Sequence, residues 1–159
     1  MSNRLIAYFS ASGVTERIAK VLAEVAGADL YEIKPEVPYS ADDLNYMNKK
    51  SRSSVEMNDP QSRPALSAKD ADIAQYDVIY VGYPIWWGVA PHIVNTFLES
   101  YDFSGKTIIP FATSGGSGIG KTDVYLAPSA PGADVLEGKR LGGTEDADAL
   151  KVWVKGYVL

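Results

Sequence analysis

Short hydrophobic runs alternate with amphipathic stretches along this chain. Almost uninterrupted apolar runs, typical of strands buried on both faces, lie at residues 5–9, 77–83 and 106–113. Shorter runs at 29–33 and 133–136 predict two more strands. Apolar residues three and four positions apart predict helices after residue 15, over 91–101, near 122–127 and from residue 145 onwards.

The stretch between the second and third predicted strands is polar and contains four prolines, at positions 35, 38, 60 and 64. Its local pattern suggests short helices at 42–50 and 67–76. A structureless loop of this length would be unusual, so we expect partial order and a ligand contact within residues 34–75.

Regular alternation of strand and helix predicts an α/β fold, a doubly wound parallel sheet of five strands with helices on both faces. We expect a single domain over residues 1–159, because the chain shows no repeat or linker. Ligands of such sheets bind beyond the carboxyl ends of the strands.

The composition excludes several kinds of functional site. The 159 residues include no cysteine and one histidine, which excludes disulfides, thiol nucleophiles, iron–sulfur ligation and the usual zinc sites. A net charge of −5 argues against nucleic acid as a partner. No apolar run is long enough to span a membrane and the start lacks a signal peptide, so we expect a cytoplasmic protein with no membrane contact. Redox chemistry would require a bound cofactor.

The first predicted strand ends in a run of small residues and hydroxyls that leads directly into a helix. Ser10, Ser12 and Thr15 lie where the first helical N–H groups lack internal partners, an arrangement that favours a bound anion. No Lys or Arg lies within this turn, so a phosphate would be held by hydrogen bonds rather than ion pairs. Glu16 would repel a phosphate unless its side chain turns away. The alternative is that these residues only cap the helix.

Two further loops follow strands of the same sheet and should meet the first at one edge. One, after the third predicted strand, contains Trp86 and Trp87 and offers two indoles. The other, residues 113–120, is rich in glycine and permits close backbone approach. Together the three loops predict a ligand with a phosphate at one end and a flat aromatic ring at the other, with at least one indole on the ligand.

These loops resemble those of the flavodoxin family, and the resemblance covers nearly the whole chain. It implies the strand order 2-1-3-4-5 and FMN as cofactor. It also implies a role for each loop: the first holds the phosphate, the second packs on the isoalloxazine ring and the third closes over the other side. The residues so implicated are Ser10, Ser12, Gly13, Val14 and Thr15, then Pro84, Ile85, Trp86, Trp87 and Gly88, and finally Thr113, Ser114, Gly115, Gly116 and Gly118.

Two departures from the family pattern affect this site. Val14 stands where many relatives have Asn, so a side-chain amide is missing from the phosphate loop. The third loop lacks the aromatic residue that stacks on the ring in many short-chain members. The ring is therefore sandwiched on one face only, or a residue from 34–75 covers the other face.

The resemblance implies a small electron carrier that shuttles electrons between soluble redox proteins, a reductase donor and an acceptor. We expect a monomer with no catalytic residue of its own and no metal. In flavodoxins a carbonyl beside a glycine of the second loop accepts the N5–H of the one-electron-reduced flavin, which here would be the Trp87–Gly88 peptide. Two alternatives stay open. The first is an FMN-dependent NAD(P)H:quinone reductase, because the second loop also resembles the matching loop of those enzymes. The second is a module that binds a flavin or another phosphate compound without turnover.

Other signals have simpler interpretations. Residues 115–122 fit the G-x-x-x-x-G-K-[ST] pattern of P-loop nucleotidases, but few residues follow, and the flavodoxin third loop explains the glycines. His92 is a candidate proton donor to a reduced quinone, although a solvated surface histidine is the commoner case. Trp153, at helical spacing, is expected in the core.

Overall fold

The computed structural model describes residues 3–114 and 122–157. Its strands are β1 (Arg4–Tyr8), β2 (Asp29–Glu32), β3 (Val78–Pro84), β4 (Thr107–Thr113), β5 (Asp134–Val135) and β6 (Lys139–Leu141). Its helices are α1 (Val14–Ala26), α2 (Arg52–Asn58), α3 (His92–Glu99), α4 (Thr122–Leu126) and α5 (Ala147–Lys155), with 3₁₀ turns at Ile73–Gln75 and Ala127–Ser129.

The strands pair in parallel in the order β2-β1-β3-β4-β5, and β6 also pairs with β4. The predicted fold class and strand order are therefore confirmed. The single fifth strand expected at 133–136 is instead two short strands, β5 and β6, which follow one another along the same side of β4.

Pro110 explains this division of the edge strand. The backbone of even-numbered β4 residues faces β5 and β6, since Leu136 donates its N–H to the Ile108 carbonyl at 2.9 Å and Ser114 donates to the Leu141 carbonyl at 3.0 Å. Pro110 falls on the same side and has no N–H to donate. The pairing along β4 breaks at this point, between the end of β5 and the start of β6.

Alternate strand residues bury into two cores, one on each face of the sheet. Ile6 and Tyr8 of β1 join Ile18, Leu22 and Leu150 from α1 and α5 on one face. Leu5, Ala7 and Phe9 point to the other face, where α3 contributes Ile93 and Phe97. The amphipathic spacing that predicted α1 and α3 is thus the stripe that each helix packs on the sheet.

The two short helices predicted in the polar segment are wrong in position. Residues 42–50 form turns, because side-chain oxygens bond to nearby backbone: Asn45 accepts from the Met47 N–H at 3.1 Å, and Asn48 from the Lys50 N–H at 2.9 Å. Such local bonds compete with helix formation. The helix comes later, as α2, whose cap Ser51 accepts from the Ser54 N–H at 3.4 Å.

The region 67–76 has no regular secondary structure over most of its length. Leu66 forms an antiparallel bridge with Pro35, and the Ser67 N–H donates to the Lys34 carbonyl at 2.9 Å. Only the 3₁₀ turn Ile73–Gln75 is helical. This pairing draws both ends of the polar segment together beside β2.

Candidate functional site

The loops after β1 and β3 lie beside Thr113 and Ser114, the described residues of the third loop, at the carboxyl edge of the sheet. Thr15, at the start of α1, and Thr113, at the end of β4, share a buried hydrogen bond between their hydroxyls at 2.7 Å. The Ile85 N–H donates to the Thr113 carbonyl at 3.2 Å. The rings of Phe9 and Trp86 meet edge to face with centroids 5.6 Å apart. Contacts thus connect all three loops.

The three hydroxyls of the first loop have different positions. The Ser10 hydroxyl accepts from the N–H groups of Gly13 at 3.1 Å and Glu16 at 3.2 Å, so it caps α1. Thr15 is buried against Thr113. Ser12 is exposed. A hydroxyl that accepts two hydrogen bonds still has its own O–H to donate, so Ser10 both caps the helix and can face an anion.

Backbone geometry at this turn depends on Gly13. Its φ of +94° lies in the left-handed region, where a residue with a Cβ is strained, and it is the cap of α1. The Val14 and Thr15 N–H groups follow as the first two of the helix, and helix geometry gives them no internal acceptor. The side chain of Val14 is exposed and contributes no donor.

Glu16 is engaged by neighbours other than the turn. Its carboxylate accepts from the Tyr8 hydroxyl at 3.2 Å and lies 3.6 Å from the Lys20 ammonium. Burial, together with the charges of Glu32 and Glu16, raises the pKa of Tyr8 well above its ordinary value, so this phenol remains a donor.

Two arginines lie close to the first and third loops. Arg17 of α1 donates to the carbonyls of Gly143 and Glu145, the latter at 3.1 Å. Arg140 of β6 donates to the Ser114 carbonyl at 2.7 Å, while its buried Nε has no partner in the described part of the chain. Sequence reasoning missed Arg140 because β6 itself was not predicted.

Glu145 lies beside the Arg17 contact. Although burial opposes its ionisation, N–H donors at Gly142 and Gly143 hold the pKa of Glu145 below its ordinary value.

The second loop is a tight turn closed by two hydrogen bonds between Trp86 and Val89, at 2.9 and 3.1 Å. Both central residues have positive φ, Trp87 at +51° and Gly88 at +80°. The left-handed region costs a side-chain-bearing residue such as Trp87 about 1–2 kcal/mol. Strain of this kind is concentrated at functional sites.

The two indoles are not equivalent. Trp86 is half-buried and packs against Phe9 and Tyr39, with centroids 5.6 and 5.3 Å away. Trp87 is 49% exposed. Since an exposed indole in a strained turn has little structural purpose, Trp87 is the side chain more readily available to a ligand.

The polar segment contributes residues that the sequence did not single out. Tyr39 hydrogen-bonds through its hydroxyl to Glu56, and the Arg52 guanidinium lies 3.8 Å above its ring centroid. Burial and the Glu56 carboxylate raise the pKa of Tyr39 far above its ordinary value. Tyr39 also lines a cleft of about 460 Å³ that reaches Ser10 and Lys34 at the ends of β1 and β2.

Of the third loop, Thr113 and Ser114 are described, whereas Gly115, Gly116 and Gly118 lie outside the described residues. The P-loop pattern lies outside them as well, apart from Thr122. That threonine is buried and shares a hydrogen bond of 2.7 Å with the Tyr83 hydroxyl.

His92 is buried, which corrects the expectation of a solvated histidine. Its Nδ1 lies 2.6 Å from the Ser62 hydroxyl, and its ring stacks on Tyr125. Burial and the nearby Arg63 charge lower the pKa of His92, so the ring is neutral at pH 7. This arrangement is structural. Within residues 3–114 and 122–157, no group of three or more acidic or histidine side chains could hold a metal ion, and no helix is long and apolar enough to cross a membrane.

Comparison with known proteins places this geometry in a family. The flavodoxin family model matches residues 3–157. A protein from Bacteroides eggerthii, provisionally described as a flavoprotein, is 49% identical over 98% of both chains, with a TM-score of 0.91. One from Bacteroides uniformis with the same description is 50% identical over 97% of this chain and 98% of its own, also at 0.91.

A more distant structure shares the fold. The flavoprotein of Lactobacillus acidophilus, solved in complex with FMN, is 24% identical over 97% of this chain and 99% of its own, with a TM-score of 0.69. Among curated proteins, none matches the chain.

Proposed function

This chain belongs to the flavodoxin family, and from that membership we propose that it is an FMN-binding electron carrier. It receives electrons from one soluble redox protein and passes them to another, as a cytoplasmic monomer. FMN, when bound, supplies one- and two-electron redox chemistry, and the protein supplies binding, orientation and electrostatics.

The observation that carries the proposal is the proximity of an anion-binding turn and an aromatic turn at one sheet edge. The ring contact of Phe9 with Trp86 holds the two turns beside each other. Thr113 also links them, because it shares a hydrogen bond with the Thr15 hydroxyl and accepts from the Ile85 N–H. A ligand that satisfies both turns carries a phosphate and a flat ring, as FMN does.

The donors of the first loop fit a phosphate. Ser10 and Ser12 have hydroxyls to offer, and the N–H groups of Val14 and Thr15 lie at the positive end of the α1 dipole. Glu16, the one acidic residue of this turn, is occupied by Tyr8 and Lys20. Within residues 10–15 a dianion would thus meet neutral donors.

The second loop would position the ring. Trp86 is fixed by its aromatic neighbours, and Trp87 presents an exposed indole. The Trp87–Gly88 peptide lies at the centre of a turn whose ends are held by Trp86 and Val89. It can therefore rotate without moving the flanking chain, and we assign its carbonyl the role of accepting a hydrogen bond from an N–H group of the ring.

The proposed FMN-binding residues are those of the three loops together. They are Ser10, Ser12, Gly13, Val14, Thr15, Pro84, Ile85, Trp86, Trp87, Gly88, Thr113, Ser114, Gly115, Gly116 and Gly118. The net charge of −5 disfavours electron uptake by bound FMN, because the reduced cofactor is anionic, and this suits a low-potential donor.

Purification provides the first test. We expect the protein to bind FMN with flavin absorption bands and to accept electrons reversibly on photoreduction. A colourless protein that does not take up added FMN would contradict the proposal.

A quinone reductase is the second candidate, because the second loop also resembles that of such enzymes. His92, which the sequence offered as its proton donor, is buried against Ser62 and Tyr125 and gives this candidate no support. Steady-state assays separate the two. We expect the FMN-loaded protein to leave NADH and NADPH unconsumed in the presence of a quinone, and rapid consumption would favour the enzyme.

A further inference from the structure

A second cleft, of about 310 Å³, lies between the aromatic turn and the polar segment. Ile85, Trp86 and Trp87 form one wall. The opposite wall comes from residues of the segment 44–53, namely Leu44, Tyr46 and Ser53. Its size and its apolar lining with a few polar groups are typical of small-molecule sites.

Ser53 carries an unsatisfied polar group at this cleft. The residue is only 2% exposed, and its hydroxyl has no hydrogen-bond partner in the described part of the chain. A buried hydroxyl without a partner is costly and calls for an explanation. A ligand with a polar edge in the cleft provides one.

Two aromatic side chains face the same cleft from opposite walls. Tyr46 is 75% exposed and Trp87 49% exposed. Aromatic side chains in apposition lose this exposure when a flat ring stacks on them. The third loop, residues 113–120, has no aromatic side chain for that purpose.

The wall formed by residues 44–53 is held in place. The Ser53 N–H donates to the Asp43 carbonyl at 2.9 Å, which ties α2 to the turn that precedes Leu44. Arg52 pairs with Glu56 at 2.9 Å and donates to the Val37 carbonyl at 2.6 Å. A backbone fixed before binding loses little entropy when the ligand arrives.

We propose that residues 44–53 supply the second wall of the ring site, with Tyr46 stacked on a flat heteroaromatic ring and the Ser53 hydroxyl bonded to its polar edge. The inference rests on the proposed function and names the ring of FMN as the occupant. It assigns to the polar segment the covering contact that the third loop lacks.

Flavin titrations of the apoprotein test this wall. Quenching of flavin fluorescence would give dissociation constants for FMN and for lumiflavin, which has the ring but neither ribityl chain nor phosphate. We expect Tyr46→Ala to weaken both by about tenfold, in line with the stacking of a ring on one aromatic side chain. Tyr46→Phe should bind like the wild type. Ser53→Ala should weaken both severalfold.

Met47→Ala is the matched control, because Met47 is 80% exposed and does not line the cleft. If Tyr46→Ala and Met47→Ala bound both flavins with equal affinity, the proposed role of residues 44–53 would be wrong, while the proposed function would stand. Failure of the wild type to bind FMN would overturn both. Unchanged flavin binding by Tyr46→Ala, with loss of menadione binding to the FMN-loaded protein, would assign the cleft to a second substrate and contradict the inference.

Discussion

Ser10 shows how one side chain at this edge serves both folding and binding. Its oxygen accepts from the N–H of Gly13, the N-cap residue of α1, and from that of Glu16 in the first turn, and its O–H is available to a ligand. The sequence predicted that hydroxyls lie at the start of this helix, but it did not predict that the three hydroxyls make different contacts. Thr15 turned inward to Thr113, a partner 98 residues away that no local pattern could indicate.

Replacement of Ser10 by Ala should therefore have two separable effects. Loss of the cap should lower the free energy of unfolding of the apoprotein by about 1 kcal/mol. Loss of a hydrogen bond to a charged phosphate should weaken FMN binding by about 1.5–3 kcal/mol, or roughly 10- to 100-fold. Riboflavin, which lacks the phosphate, should bind the variant and the wild type equally in the same fluorescence titration. An equal loss for both ligands would remove Ser10 from the phosphate site.

Substitution of Gly88 tests the role assigned to the Trp87–Gly88 peptide. The φ of Gly88 is +80° and a side chain placed there would extend into open space, so Gly88→Ala should cost about 1–2 kcal/mol from backbone strain alone. If the Trp87–Gly88 peptide must rotate on reduction, the substitution should also bring the two one-electron potentials of the bound flavin closer together in a potentiometric titration.

Gly27 is the matched control for Gly88, because its φ is +61°, its surroundings are also open, and it lies at the far end of α1. Gly27→Ala should lower stability by a similar amount and leave both potentials unchanged. A shift of the potentials in both variants, or in neither, would contradict the assigned role of the Gly88 peptide.

At the scale of elements, strands β3 and β4 pair along their whole length and make one especially close side-chain contact. A Cβ at Gly82 would overlap the ring of Phe111, its partner in the parallel register. We expect Gly82→Ala to destabilise the protein by about 3 kcal/mol, because the ring must leave a well-packed core.

Phe111→Leu should partly relieve this collision. We then expect the double variant to lose less free energy of unfolding than the two single variants lose together, as measured by urea denaturation. Strict additivity in urea denaturation would show that the ring accommodates the methyl group elsewhere.

The elements that the sequence predicted well are those with a strong hydrophobic period. The buried strands β1, β3 and β4 and the amphipathic helices α1 and α3 lie close to their expected positions. Prediction failed where side-chain-to-backbone bonds decide the local structure, as at Asn45 and Asn48, and where short edge strands depend on pairing with β4. The cleft at Tyr46 could not be foreseen, since it requires knowing where the polar segment turns.

For the whole molecule, pH should affect stability through its one histidine. Burial depresses the pKa of folded His92 below its ordinary 6.5, so the unfolded chain binds this proton more readily. The resulting stability is present above about pH 6.5 and is lost as the pH falls below it. The charged groups around the ring, Arg63, Glu56 and Asp59, act on it in opposing directions.

Urea denaturation at pH 7.5 and 5.5 would check this dependence. The free energy of unfolding should fall between these values in the wild type and fall less in His92→Gln, which cannot take up a proton. The carboxylates with lowered pKa are Asp43, Glu99, Asp102 and Glu145, and they titrate in a more acidic window, below about pH 4.5. An identical fall in both proteins would show that another group is responsible.

The whole account depends on where one ligand sits, and a crystal structure of the protein with FMN would measure that directly. We predict the phosphate among the N–H groups and hydroxyls of residues 10–15, and the ring against Trp87 with Tyr46 on its other face. Density for FMN elsewhere on the surface, or a ring that contacts neither the second loop nor the polar segment, would contradict it.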